Sequence, residues 1–266
     1  MNLRRAFAFP VLVAAIVLPC AVRGDDTQSL VEARAGSMAV ILAVPHDGAE
    51  PVPGVPPRSG GTTVRDLHSG LLATRTADLI EGRTGRRPYL LIARFSRKYI
   101  DANRAADEAV DSPEALPAYR AYHAQLASFV AQVRQQYPGG AILIDVHGQG
   151  AEAGTVFRGT RDGLTAKALV ARHGEDAILG PNSLIGMLRA MGHTVHPAAP
   201  GIREDKRFGG GYTVATYGSH HPDGIDAVQL EFGKRMRDDP RAAEDFANAI
   251  LGFEQAYLPV PKAQGR

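Results

Sequence analysis

Residues 38–48, with the sequence MAVILAVPHDG, decide the fold. The first seven are a short continuous apolar run, which is typical of a strand buried on both faces of a sheet. Three similar runs follow at Tyr89–Ala93 (YLLIA), 141–146 (AILIDV) and 227–232 (AVQLEF). Each is too short for a buried helix and is bounded by turn residues. The sequence therefore predicts at least four core strands, with helices between them.

Helical spacing of apolar residues fills the intervals between these strands. We expect a helix from Thr62 or Thr63, as its cap, to about Gly82, and a second at 117–136. A short helix at 184–191 and a C-terminal helix at 240–257 complete the pattern. Alternating strands and helices predict a single α/β domain, with a mostly parallel mixed sheet flanked by helices.

The composition excludes several classes of protein. One cysteine in 266 residues rules out a disulfide scaffold and a cysteine-rich metal site. The net charge of +2 gives no reason to expect nucleic-acid binding. The basic excess itself resides in the N-terminus, because Arg4, Arg5 and Arg23 precede residue 25 and no acidic residue does.

Residues 1–24 have the order of a secretory signal peptide. Arg4 and Arg5 precede an apolar run that Pro10 and Pro19 interrupt, and small residues lead to Gly24. We expect cleavage after Gly24, a catalytic domain at 25–266, and a periplasmic or secreted protein with no membrane association after cleavage. An uncleaved anchor and a lipid anchor at Cys20 stay open as alternatives.

Polar residues interrupt the apolar strands at one end. His46 and His147 each come just after one of the apolar runs, and Glu231 lies near the end of a third run. Because sites in open α/β sheets form at the carboxyl ends of the strands, these three side chains are expected to converge.

Together with their neighbours, these residues resemble the N-formylglutamate amidohydrolase family, a branch of the zinc carboxypeptidase-like hydrolases. The resemblance rests on blocks that occur in the family's order, namely 44–48 (VPHDG), 65–66 (RD), 93–104 (ARFSRKYIDANR), 143–150 (LIDVHGQG), 157–160 (FRGT) and 224–231 (GIDAVQLE). It implies a zinc carboxypeptidase-like fold and hydrolysis of a linear amide.

The metal site implied by the resemblance holds one Zn²⁺. His46 and His147 are its expected imidazole ligands, because zinc prefers histidine nitrogen and carboxylate oxygen when cysteine is absent. The third ligand is open between two carboxylates. Asp66, which we expect at the start of the next helix, is preferred to Glu50, which follows His46 by four residues.

Glu231 is the expected general base. Burying a carboxylate on an apolar strand is costly unless it is paired or functional, and burial moves its pKa toward the pH at which it must accept a proton. In the family, the matching glutamate takes a proton from water. The alternative is a structural ion pair with Lys234 or Arg235.

Three residues after the second strand are candidates for binding anionic groups. A guanidinium binds a carboxylate through two parallel hydrogen bonds, so Asn103 and Arg104 are expected to hold a substrate carboxylate, as the matching pair does in zinc carboxypeptidases. Arg97 is expected to stabilise the oxyanion.

Four further polar residues near these blocks receive weaker assignments. Asp145 is a candidate hydrogen-bond partner of His147. Asp101 is expected to orient its loop. His220 and His221 are interpreted as loop residues, since adjacent side chains on an extended segment point apart.

The sequence thus predicts a secreted zinc amidohydrolase. Its substrate would be an N-acylated, formylglutamate-like amino acid or a short acidic peptide. Two alternatives are a metallocarboxypeptidase of the same fold and a non-catalytic periplasmic protein that binds carboxylates.

Overall fold

The computed structural model describes residues 30–258, which form one α/β domain. The predicted signal peptide and Cys20 lie outside these residues. A seven-stranded mixed sheet has the order β1-β3-β2-β4-β7-β5-β6. Its strands are β1 (Val31–Arg34), β2 (Val40–Val44), β3 (Tyr89–Ala93), β4 (Ile142–Gln149), β5 (Thr155–Gly159), β6 (Thr194–His196) and β7 (Asp226–Gly233).

Nine α-helices lie among the described residues. They are α1 (Ser69–Thr84), α2 (Ala106–Ala109), α3 (Leu116–Gln136), α4 (Lys167–His173), α5 (Asp176–Leu179), α6 (Leu184–Ala190), α7 (Tyr212–Tyr217), α8 (Lys234–Arg237) and α9 (Pro240–Tyr257). None of the helices within 30–258 combines the length and hydrophobicity that a membrane span requires.

The four apolar runs of the sequence are the central strands. β3, β2, β4 and β7 are neighbours and run parallel, so their carboxyl ends meet at one edge. Every residue of β2 and β3 is buried, as expected for strands covered on both faces. β1 and β5 pair antiparallel with β3 and β7. The predicted α/β architecture is confirmed.

Two long helices illustrate why the chain folds this way. α3 begins with a proline in its first turn and buries one face that includes Tyr122, Leu126 and Phe129. The side chain of Asp239 accepts a hydrogen bond from the backbone of Arg241 and so caps α9. α9 packs on α1 and α6, whereas α3 packs on β1, β2 and β3.

The predicted start of the first helix was wrong. α1 begins at Ser69, after His68 in a left-handed conformation, and not after Thr62 or Thr63. Its first turn is capped from a distance, because Oδ2 of Asp47 accepts a hydrogen bond from the Gly70 backbone at 2.8 Å. Asp66 therefore lies in the loop before α1 and does not open the helix.

The segment around Arg158 is a strand that no apolar run of the sequence predicts. It forms β5, whose residues are all buried and whose Phe157 pairs with Glu231 of β7. The buried Arg158 side chain is compensated by Glu204, 2.8 Å away. This ion pair allows a charged residue to occupy a covered strand.

Candidate active site

A cleft of about 470 Å³ opens at the carboxyl ends of the parallel strands. His46 enters it two residues after β2 ends, and His147 and Glu231 enter it from β4 and β7. His147 and Glu231 are direct neighbours in the register of those two strands. The sheet therefore brings together the three polar residues that interrupt the apolar runs.

Three ligand-type atoms form a compact triangle in this cleft. Nδ1 of His46 lies 3.1 Å from Nδ1 of His147. Oδ2 of Asp66 lies 3.4 Å from the first nitrogen and 3.2 Å from the second. All three residues are buried, and they are the one such cluster of metal-ligating type among residues 30–258.

Two further carboxylates hold the outer nitrogens of the imidazoles. Nε2 of His46 donates to Oδ1 of Asp101 at 2.7 Å. Nε2 of His147 donates to Oδ2 of Asp145 at 2.9 Å. Each carboxylate places the proton on Nε2 and leaves the Nδ1 lone pair directed into the triangle, which is the arrangement that orients metal-bound histidines in proteins.

The donor set fits a divalent cation. With both Nδ1 atoms unprotonated, two lone pairs and one carboxylate oxygen face one another without a proton between them, and a cation satisfies all three. Ligands of a tetrahedral zinc ion lie roughly 3.3 to 3.6 Å apart, given bonds of about 2.0 to 2.2 Å. The observed separations, 3.1 to 3.4 Å, are close to that range.

The charges around the triangle favour a cation as well. Burial alone would lower the pKa of His147, but Asp145 and Glu231 outweigh it and raise that pKa well above its usual value. Burial likewise opposes ionisation of Asp66, yet the neighbouring imidazoles of His147 and His46, when protonated, hold its pKa below the usual range. The cluster therefore stabilises an ionised carboxylate next to a positive charge.

Of the two candidate third ligands, the structure brings only Asp66 to the histidines. The Asp66 backbone donates to the carbonyl oxygen of His46 at 3.1 Å, which draws the loop over the strand end. Oδ2 of Asp66 also accepts from the backbone of Gly148 at 3.1 Å. Glu50 is exposed and pairs with Arg94 at 3.7 Å, away from the cluster.

Glu231 lies beside the triangle and not in it. Its Oε1 is 4.0 Å from Nδ1 of His147 and accepts a hydrogen bond from Gln229 at 2.9 Å. Burial raises its pKa, and the negative charge of Asp66 adds to that rise while His147 opposes it. Neither Lys234 nor Arg235 is paired with it, so the structural alternative has no support here.

Arg97 reaches the cleft from the loop after β3. Its Nε donates to Oδ2 of Asp101 at 3.0 Å, and its Nη1 lies 3.6 Å from Oδ1 of Asp66. The guanidinium is thus fixed against two of the acids that surround the histidines. A cation fixed at this point can interact with a negative charge next to the triangle.

Asn103 and Arg104 line the same cleft but in different ways. Asn103 is buried and its Oδ1 accepts from the backbone of Thr213 at 2.7 Å. Its Nδ2 lies 3.2 Å from Nε2 of His147. Arg104 is exposed, and its guanidinium makes no hydrogen bond or ion pair within 30–258. Arg104 is therefore the more available of the two for a substrate carboxylate.

The far wall of the cleft carries basic residues that the sequence pattern does not predict. Lys206 and Arg207 lie there, just before the glycines at 209–211. Glu204 anchors this segment, because it accepts from the backbone of Thr160 at 2.8 and 2.9 Å and pairs with Arg158. Nothing in the local sequence connects Lys206 and Arg207 with the strand ends.

A second cavity, of about 550 Å³, lies at the other end of the sheet. Asp226, the first residue of β7, and Arg172 line it and pair with each other at 2.7 Å. His220 and His221 do not belong to the metal-ligating cluster. The candidate metal ligands are therefore found at the carboxyl ends of the parallel strands and not at this second cavity.

Comparison with known proteins agrees with this geometry. A family model described as N-formylglutamate amidohydrolase matches residues 116–236, which include His147 and Glu231. The chain is similar to the crystal structure of N-formylglutamate amidohydrolase from Ralstonia eutropha, with 18% identity, a TM-score of 0.55, and coverage of 85% of this chain and 96% of that one.

A gene product from Agrobacterium tumefaciens is similar to the same extent, with 17% identity, a TM-score of 0.52, and coverage of 85% and 92%. At these identities the two likenesses show the fold. No curated protein matches the chain in a sequence comparison.

Proposed function

We propose that this chain, whose residues 116–236 match the N-formylglutamate amidohydrolase family model, is a member of that family and a hydrolase that acts on an amide. The proposed enzyme is a zinc-dependent amidohydrolase that cleaves the amide of an N-acylated amino acid or a short acidic peptide. The observation that carries the proposal is the triangle of His46, Asp66 and His147, since each histidine is backed by its own carboxylate.

In this proposal, His46, Asp66 and His147 hold one zinc ion. When bound, the ion would lower the pKa of a water molecule and polarise the carbonyl of the amide. Glu231 lies within reach of the same space, and its raised pKa suits a group that must first accept a proton and later release it. It takes the proton from the attacking water and passes it to the leaving nitrogen.

Cationic side chains complete the proposed mechanism. Arg97, held by Asp101, stabilises the negative charge that forms on the carbonyl oxygen. Arg104 holds a carboxylate of the substrate from the open side of the cleft, and Lys206 faces the same space. Asn103 is proposed to support this group chiefly by fixing the loop, since its Oδ1 is already engaged.

We also propose that the enzyme acts in the periplasm or outside the cell. The support is the sequence pattern of residues 1–24 alone. The N-terminal sequence of the protein recovered from a periplasmic fraction tests this point. A mature chain that begins at Asp25 is expected, and an intact Met1 on protein confined to the cytoplasm would contradict it.

The function is tested by assaying the purified protein on a panel of N-acylated amino acids with free or amidated carboxyl groups, together with Glu231→Gln. The wild type is expected to release the amine from acidic members, and Glu231→Gln to be slower by about 10²- to 10⁴-fold while it retains metal. Equal hydrolysis by the variant would refute the role of Glu231. Removal of C-terminal residues from unblocked peptides alone would indicate a carboxypeptidase.

A further inference from the structure

Gln229 is buried in strand β7, two residues before Glu231, and is not used by the mechanism above. Residues two apart on a strand face the same side of the sheet, so both side chains point into the cleft wall. Nε2 of Gln229 donates to Oε1 of Glu231 at 2.9 Å. With only 4% of its surface exposed, Gln229 has no access to bulk solvent as an alternative partner.

The direction of this amide is fixed by a backbone group on the other side. The N–H of Gly211 donates to Oε1 of Gln229 at 2.7 Å. A backbone N–H can only donate, so the oxygen of the amide must face Gly211. The NH₂ group must therefore face Glu231, where an ionised carboxylate is the matching acceptor.

Gly211 can deliver this N–H because it lacks a side chain. A Cβ at this position would lie 2.3 Å from Nδ2 of Asn103, which is closer than real Cβ atoms come to other atoms. Asn103 in turn is fixed by the Thr213 backbone at 2.7 Å. These contacts, which run from Thr213 through Asn103 and Gly211 to Gln229, allow the Gln229 amide only one orientation toward Glu231.

The carboxylate of Glu231 is consequently held by one oxygen. Oε1 receives the hydrogen bond from Gln229 and faces His147. No side chain or backbone group between residues 30 and 258 donates to Oε2. The second oxygen is therefore free to accept a proton from a molecule in the cleft.

We propose that Gln229 is a positioning residue for amide hydrolysis, which orients Glu231 by binding Oε1 and leaves Oε2 directed at the reacting water. The inference rests on the proposed role of Glu231 as the base. Gln229 makes no contact with the reacting atoms in this account and acts only through Glu231.

The test compares the variants Gln229→Met and Thr165→Val. Methionine keeps the length of the glutamine side chain but forms no strong hydrogen bond. Thr165 is a matched control because its buried hydroxyl donates to the carbonyl of Ala227 on the same strand at 2.6 Å, away from Glu231. Gln229→Met loses the hydrogen bond to Glu231 and the one from the Gly211 backbone, and Thr165→Val loses one buried hydrogen bond to the backbone of β7. Only Gln229→Met removes the hydrogen bond that holds the Glu231 carboxylate.

For Gln229→Met we expect kcat to fall by about tenfold or more, with KM changed by less than about twofold and metal content unchanged. Loss of a donor to the charged carboxylate raises its pKa, so the acidic limb of the kcat profile should move to higher pH. Thr165→Val should keep the wild-type kcat and profile. A Gln229→Met profile and kcat equal to those of the control would overturn the proposal.

Crystal structures of the wild type and of Gln229→Met give a readout that needs no turnover. We expect the Glu231 carboxylate to rotate away from its wild-type position in the variant, and an unchanged carboxylate would overturn the positioning role. A wild type that hydrolyses no member of the acyl panel would instead refute the proposed function. The two failures are thereby distinguished.

Discussion

Asp145 and His147 lie two residues apart on β4, and Oδ2 of the first accepts a hydrogen bond from Nε2 of the second at 2.9 Å. The period of two along a strand gives both side chains the same face, so one short stretch of sequence supplies a metal-type ligand and the group that orients it. His46 has no such local partner and obtains Asp101 from another loop.

This relationship predicts that Asp145→Asn weakens metal binding. The variant keeps the shape of the side chain but loses the charge that fixes the tautomer of His147, and we expect a 10- to 100-fold lower metal affinity, in the range of about 1 to 3 kcal/mol. Competition with a chromogenic chelator measures it. Asp226→Asn, at a buried acid paired with Arg172 at 2.7 Å, is the control and should bind metal like the wild type.

A substitution at Arg104 tests substrate recognition. Arg104→Ala should raise KM for acidic N-acyl substrates by roughly 10- to 100-fold and leave kcat nearly unchanged, because a charge-assisted hydrogen bond contributes about 1.5 to 3 kcal/mol. Steady-state kinetics measure the effect. Arg94→Ala is the control, since Arg94 is exposed beside Glu50 and lies away from the metal-ligating cluster. Equal KM values in both variants would count against the assignment.

The Arg158–Glu204 ion pair predicts a large loss of stability. Glu204→Ala leaves the buried guanidinium uncompensated and removes the acceptor of the Thr160 backbone, so we expect about 3 to 5 kcal/mol less free energy of unfolding. Urea denaturation measures it. Glu244→Ala, at an exposed ion pair with Arg83 of 3.9 Å, should change stability by less than about 0.5 kcal/mol.

His123 predicts a dependence of stability on pH. Burial lowers the pKa of its imidazole to about 4, although a hydrogen bond to the Ala102 carbonyl opposes the shift. The unfolded chain binds this proton near pH 6.5 and the folded chain only near pH 4, so stability falls as the pH falls through that range, by up to about 3 kcal/mol. Unfolding of the wild type and of His123→Gln at pH 7 and 4.5 measures it. The same loss in both proteins would contradict the assignment to His123.

Sequence alone predicted the parts of the fold that rest on local patterns. The apolar runs gave the four parallel strands, and the helical spacing gave α3 and α9 almost to the residue. β5 was missed because it is five residues long and contains Arg158, whose partner Glu204 is distant in sequence. The start of α1 was missed because its cap, Asp47, lies 23 residues before Gly70.

In the candidate site, too, the residues with a local sequence signal were predicted and the contacts between distant loops were not. His46, His147 and Glu231 were found because a polar residue at the end of an apolar strand is itself a signal. The Asp101–His46 hydrogen bond and the direction of Gln229 depend on loops that meet only in the folded chain. For that reason the sequence carried no signal for the placement of Lys206 in the cleft or for the direction of the Gln229 amide.

We propose that His46, Asp66 and His147 together hold one divalent metal ion. Elemental analysis of the protein after zinc loading and dialysis, compared with Asp66→Ala, tests it most directly. We expect one equivalent of zinc per wild-type chain, and a variant that loses the metal on dialysis while it keeps the wild-type fold by circular dichroism. A wild type without stoichiometric metal, or a variant that retains the metal as tightly as the wild type, would show that these three residues do not form a metal site.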